Sequence, residues 1–279
     1  MKLITFFHNG RERVGRLDGR AVYPIEGYSS MLDVIRSGAK PESLRSLNPI
    51  PVSSVEVLAP IPEPGQDVIC LGLNYQEHAE ESSRFKSEVF EKSKSAVYFS
   101  KRVNRAVAPG DPIQGHLDLD EQLDYEVELA VIIGRDARNV RKDLAYDYIF
   151  GYTILNDVSA RSLQGKHKQW YFGKSLDGFT PMGPCIATED EFSRPPALGI
   201  QSSVNREPRQ FSNTNQMIFD IPHIISELSG GMTLKAGTII STGTPAGVAM
   251  GMQPPRFLKK GDVVRCEIEG IGILENMVM

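Results

Sequence analysis

The segment LDYEVELAVIIG, Leu123 to Gly134, constrains this chain more than any other. Read as a strand, it puts Tyr125, Val127, Leu129, Val131 and Ile133 on one face and Asp124, Glu126, Glu128, Ala130 and Ile132 on the other. The first face is built to lie against a core. The second begins acidic and ends apolar, so its far end asks for burial too, and its carboxylates then sit at the rim of a core. Like charges two residues apart on a buried face need a cation, supplied either by a basic side chain or by a metal ion.

The rest of the chain suits such a strand. Hairpin punctuation stands at His8-Asn9-Gly10, Ala108-Pro109-Gly110-Asp111, Asn205-Arg206-Glu207-Pro208, Lys260-Gly261-Asp262 and Gly270-Ile271-Gly272. Helices are few. SSMLDVIRSG, capped by Ser29 or Ser30 and stopped by Gly38, is one; DIPHIISELSGG, with Asp220 as N-cap, Pro222 in the first turn and Gly230 as the stop, is the clearest. Strands do not alternate with long helices, which argues against a doubly wound fold. The expected class is mainly β, or α+β: a mixed sheet rolled on itself, preceded by a small N-terminal α+β domain. Prolines at 49, 51, 60, 62 and 64 resist helix and central strand alike. They place a small domain at 1–52, a linker at 53–66 and a larger domain at 67–279.

A length of 279 residues with 41% hydrophobic content can fill such a core. The net charge of −4, with Lys and Arg dispersed, gives no footprint for nucleic acid. Ala236 to Pro255 carries no charge, but its glycines and prolines make it a loop rather than a membrane span. Cys70, Cys185 and Cys266 are too scattered for a zinc site or a disulfide framework. Without an apolar leader, the expected location is the cytoplasm, with the thiols reduced.

Several residues could carry chemistry. In GYTILNDVSARSLQGK a buried strand ends at Asp157, which reads as a helix cap when taken alone and as a third carboxylate beside Glu126 and Glu128. Three carboxylates suit Mg²⁺ or Mn²⁺ better than zinc. In CLGLNYQEHAEE, His78 and Glu81 share a helix face, so the carboxylate can orient the imidazole; a surface ion pair is the plainer reading. The charge-dense SSRFKSEVFEKSKS that follows is either a solvated helix face or a mobile lid. Lys174 follows the aromatic run QWYF and has Phe172, Leu176 and Phe179 nearby, which would partly bury its ammonium. STGTPAGV lacks the ending of a phosphate loop, yet its small residues would let a ligand approach Thr244.

Taken together, GLNYQEHAEE, LDYEVELAVIIG, GYTILNDVSARSLQ, QWYFGKSLDGFTPMGP, MIFDIPHIISELSGGMTLKAGTIISTGTPAGV and LKKGDVVRCEIEGIG resemble, in this order, the fumarylacetoacetate hydrolase superfamily, from about residue 65 to the C-terminus. The resemblance implies a β-roll catalytic domain and a homodimer. It implies Glu126, Glu128 and Asp157 as ligands of one Mg²⁺ or Mn²⁺ ion per chain, His78 and Glu81 as the water-activating dyad, and Lys174 as the group that stabilises an enolate. Gln164 and Thr244 match substrate-contacting positions. Lys101 and Arg161, with Arg84 and Arg102, are candidates for binding an extra carboxylate of the substrate.

The activity this implies is hydrolysis of a C–C bond in a 2,4-diketo acid of the acylpyruvate type, by Lewis acid plus general base. Decarboxylation of an oxaloacetate-like acid, or keto–enol isomerisation, would use the same metal without the attacking water. A non-catalytic keto-acid-binding protein would be expected to have lost a ligand, the lysine or the dyad. None is lost.

Overall fold

The structure is a computed structural model and describes residues 1–85 and 94–279. Most of the segment expected to form a lid or solvated helix face lies outside the described residues.

The acidic-to-apolar strand sits mid-sheet. Val127–Ile133 is buried at every position, pairing antiparallel with Ile149–Asn156 on one side and with Ile239–Ser241 on the other. Among the described residues it belongs to an 11-stranded mixed sheet whose far edge runs through Val68–Gly72 and Val97–Lys101. Val127, Leu129, Val131 and Ile133 face the main core, with Tyr152, Ile154, Ile224 and Ile225. Ala130 and Ile132 face a second core made with Leu3, Val14, Met31, Val34 and Ile35. The apolar end of the acidic face is thus covered by the N-terminal segment.

That segment contributes strands to the same sheet. Lys2–His8 pairs with Arg11–Asp18, with Glu56–Leu58 and with Met182–Thr188. The turn between the first two has Asn9 and Gly10 at φ 51° and 78°, the left-handed pair that a tight hairpin requires. Ser30 caps the helix Met31–Arg36 through the Asp33 amide. Thr5 Oγ1 donates to the Pro60 carbonyl at 2.6 Å, fastening the proline-rich stretch to the first strand.

A second sheet has the order Glu207–Asn213, Gly199–Val204, Val263–Ile268, Gly272–Met277. Its hairpin at Asn205-Arg206 takes φ 52° and 69°. Ala108–Asp111 turns the chain without making a hairpin, because the segment after it leads Ile113 to a parallel bridge with Val278. The helix Ile221–Gly231 is capped by Asp220 as expected and runs one residue past Gly230. No helix among the described residues is long and apolar enough to cross a membrane.

Candidate metal centre

Strand register assembles the three carboxylates. Glu128 stands opposite Leu155 and Val127 opposite Asn156, so the next residue, Asp157, comes beside Glu126 and alternation points all three to one face. The segment 123–134 is not one continuous strand. Leu123–Asp124 pairs with Ser159–Ala160, and the ladder opens at Tyr125 and Glu126. There the Glu126 amide donates to the Asn156 side chain at 3.0 Å, and its carbonyl accepts from the Asp157 amide at 2.9 Å. Ligand atoms of Glu126, Glu128 and Asp157 lie within 4.8 Å of one another, and all three residues are buried. Asp157 caps no helix: the helix Arg161–Lys166 starts after Ala160 and has no side-chain cap.

Cations surround two of the three. Lys174 Nζ bridges Glu126 Oε2 at 2.6 Å and Asp157 Oδ2 at 2.7 Å. Lys101 Nζ donates to Asp157 Oδ1 at 2.6 Å and to the Val158 carbonyl at 2.9 Å. Arg161 reaches Glu126 Oε1 at 2.6 Å, Asp124 Oδ2 at 2.9 Å and the Gln164 side chain at 3.0 Å. Burial would raise the Glu126 pKa, but Lys174 and Arg161 outweigh it and hold the carboxyl well below its usual range. Among the described residues Glu128 has only neutral partners, the Ser241 hydroxyl and the Gly243 amide. Burial, then the charges of Asp157 and Glu126, push its pKa up. A buried carboxyl with no ion-pair partner beside two anions fits a divalent ion, as does an all-oxygen donor set. The three residues could hold one.

Lys174 is the last residue of the helical turn Tyr171–Lys174. The turn packs on the preceding helix at Gly173, where a β-carbon would lie 2.5 Å from the Gln164 nitrogen. Its ammonium is 5.2 Å from the Phe99 ring centroid.

His78 and Glu81 are buried on the helix Gln76–Phe85, with Nδ1 and Oε2 3.2 Å apart. Both Glu81 oxygens accept from the Gly247 amide, at 3.1 and 3.2 Å. The Ala249–Gly251 turn closes on the same carboxylate so tightly that a β-carbon on Gly251 would lie 1.9 Å from Glu81 Cδ. Asp124, given no role in the sequence reading, fixes that turn. It accepts from the Ala249 and Met250 amides at 2.7 and 3.1 Å and from Arg161, and so ties the dyad's support to the partner of Glu126.

These groups meet in a cavity of about 350 Å³, lined by His78, Glu126, Glu128, Gln164, Lys174 and Thr244. Two candidates for an extra substrate carboxylate are placed otherwise. Lys101 lies behind the carboxylates, fully buried on Asp157, and Arg161 lines the cavity with its guanidinium bonded to Asp124 and Glu126. Spacing names residue types but cannot show that their charges are already matched. Gln210, also missed, donates to Thr244 Oγ1 at 2.7 Å and to the Pro245 carbonyl at 2.8 Å, and accepts from the Val127 amide at 3.1 Å. Thr244 in turn donates to the Val127 carbonyl at 2.9 Å.

Comparison with known proteins agrees with this geometry. Residues 67–279 match the family model described as fumarylacetoacetate (FAA) hydrolase C-terminal. The oxaloacetate tautomerase YisK of Bacillus subtilis (strain 168) is 44% identical over 227 residues, which are 81% of this chain and 74% of that protein. The fumarylacetoacetate hydrolase of psychrophilic Exiguobacterium antarcticum is 43% identical with a TM-score of 0.85, covering 100% of this chain and 99% of that one. A 2-hydroxyhepta-2,4-diene-1,7-dioate isomerase from Mycobacterium marinum is 31% identical with a TM-score of 0.79, over 100% and 98%. A buried carboxylate triad, a histidine–glutamate pair and a family match over residues 67–279 lead to one conclusion: the chain belongs to the fumarylacetoacetate hydrolase family.

Proposed function

We propose that the chain is a metal-dependent keto–enol tautomerase of 2-oxo acids. The observation that carries this reading is the buried His78 imidazole, bonded to Glu81 and lining the same cavity as Lys174 and the carboxylates. The names of the Bacillus subtilis and Mycobacterium marinum relatives, a tautomerase and an isomerase, support it.

Glu126, Glu128 and Asp157 would hold the ion, and hard oxygen donors favour Mg²⁺ or Mn²⁺. When bound, it would supply a Lewis acid to the carboxylate and 2-oxo oxygens of the substrate. The chain's own groups handle the proton. Glu81 accepts the Nδ1 proton of His78, fixing the tautomer whose Nε2 can take a proton from C3. The electron pair of the broken C–H bond becomes the C2–C3 double bond while the carbonyl π pair moves onto the C2 oxygen, which takes a proton from solvent to complete the enol. Lys174 uses two N–H donors on Glu126 and Asp157 and keeps a third for that developing charge. Ketonisation runs the same path backwards, with His78 returning the proton to C3.

A second reading is hydrolysis of a 2,4-diketo acid, in which His78 takes its proton from water and the enolate leaves. The likeness to the Exiguobacterium antarcticum hydrolase favours it. Ketonisation of enol-oxaloacetate and cleavage of acetylpyruvate, followed side by side in Mn²⁺ with an EDTA control, separate the two. The tautomerase reading expects faster oxaloacetate conversion, lost about 10²–10⁴-fold in His78→Asn. Faster acetylpyruvate cleavage would replace it with the hydrolase, and failure of both reactions would remove both.

We also propose a homodimer. Phe211, Ile273 and Met277 share the outer face of the four-stranded sheet, and Phe211 is 82% exposed, a surface suited to an interface between two copies.

A further inference from the structure

Among the described residues, Arg161, Lys168 and Lys174 are the three cations lining the cavity. Arg161 and Lys174 are bonded to buried carboxylates. Lys168 is exposed at the cavity's edge and has no ion pair among the described residues.

Its backbone is unusual as well. Lys168 sits at φ 60°, a left-handed conformation that costs a residue with a β-carbon about 1 kcal/mol and that glycine would adopt freely. The loop is tightly made, with the Gln169 amide donating to the His167 carbonyl at 2.6 Å. It is pinned at its far end. The Trp170 ring lies against Gly72, where a β-carbon would meet it at 2.2 Å, and edge-on to Phe99 with centroids 5.1 Å apart. A strained lysine is therefore held where glycine would be easier, with its side chain on the cavity. Strain kept at such a place points to function. Leu71, Leu73, Phe85, Phe99 and Met250 give the wall an apolar stretch, a surface that a hydrocarbon chain, but not a second charge, would line.

We infer that Lys168 determines specificity by binding a second, remote carboxylate of the substrate. The chain then prefers 2-oxo dicarboxylates, whose oxo-acid end lies at the triad and whose tail crosses the apolar wall to the ammonium, over monocarboxylates of equal length. The inference rests on the keto-acid reading above and adds the residue that reads the tail.

The test is calorimetric binding to Mn²⁺-supplemented protein of two pairs matched in carbon number: 2-oxoglutarate with 2-oxopentanoate, and 2-oxoadipate with 2-oxohexanoate. Wild type is expected to favour the diacid of at least one pair about tenfold, the scale of one partly solvated charge-assisted hydrogen bond. Lys168→Gly, which relieves the backbone, should erase that preference while leaving monoacid affinity within about twofold, and Lys168→Arg should keep it. Equal loss for both members of a pair, or an unchanged preference in Lys168→Gly, overturns the inference while the keto-acid reading stands. Wild type that binds all four acids without preference also overturns it. Wild type that binds none overturns the keto-acid reading and, with it, this one.

Discussion

Glu126 and Glu128 sit two residues apart on one strand yet carry opposite electrostatic loads. Glu126 is held by Arg161 and Lys174, whereas Glu128 faces two anions with only a hydroxyl and an amide for partners. The residue types that could hold a metal were legible from spacing. Their unequal compensation was not, because it depends on cations 35 and 48 residues from Glu126 that only folding brings in. Lys101 shows the same limit: it reads as a free cation, but folds against Asp157. Removing one partner of a buried pair strands the other charge. In metal-free protein, Lys101→Met should cost about 3 kcal/mol, seen as a lower thermal midpoint; an unchanged midpoint would mean that Lys174 alone satisfies Asp157. The cysteines give a second residue-scale outcome. Burial raises all three thiols, Cys185 to about 11 and Cys266 to about 12. Thiolate is therefore scarce below those values, and at pH 8 a disulfide reagent should label almost none in the native protein and all three after unfolding.

Among elements, the interruption at Tyr125 and Glu126 does the most to shape the site. A continuous strand would use the Glu126 amide in the ladder; instead the Asn156 side chain takes it, while the Glu126 carbonyl keeps its bond from the Asp157 amide and so the register that sets the two side by side. Period-2 alternation identified the acidic face, but no local pattern marks where a ladder opens. The helix bearing the dyad was readable from His78 and Glu81, three residues apart. Its support was not, since Gly247, Gly251 and Asp124 come from distant segments. Gly251→Ala would drive a β-carbon into Glu81 and should lower keto–enol turnover at least about tenfold, while Mn²⁺ affinity by calorimetry stays within about twofold. Equal turnover in the variant would show that the Glu81 carboxylate need not be held there.

For the whole molecule, the fold solves the problem posed by a strand that is apolar on one face and acidic-to-apolar on the other: two cores cover the sheet, and the carboxylates collect at one end of it. The β-rich class and the sparse helices follow from turn chemistry and alternation. The joining of residues 1–58 to the central sheet does not, because pairing of Lys2–His8 with Met182–Thr188 spans almost the whole chain. If the outer face of the smaller sheet joins two copies, Phe211→Glu should shift the sedimenting species from dimer to monomer without unfolding it; wild type sedimenting as a monomer would contradict the dimer. The claim on which the rest depends is that the triad holds one divalent ion. It is tested most directly by calorimetric titration of Mn²⁺ into EDTA-treated wild type and Glu128→Gln, a change that keeps the shape and breaks no ion pair. Binding of one ion per chain by wild type, with affinity lost at least about 100-fold in the variant, is the expected result; no binding by wild type, or equal binding by both, would contradict it.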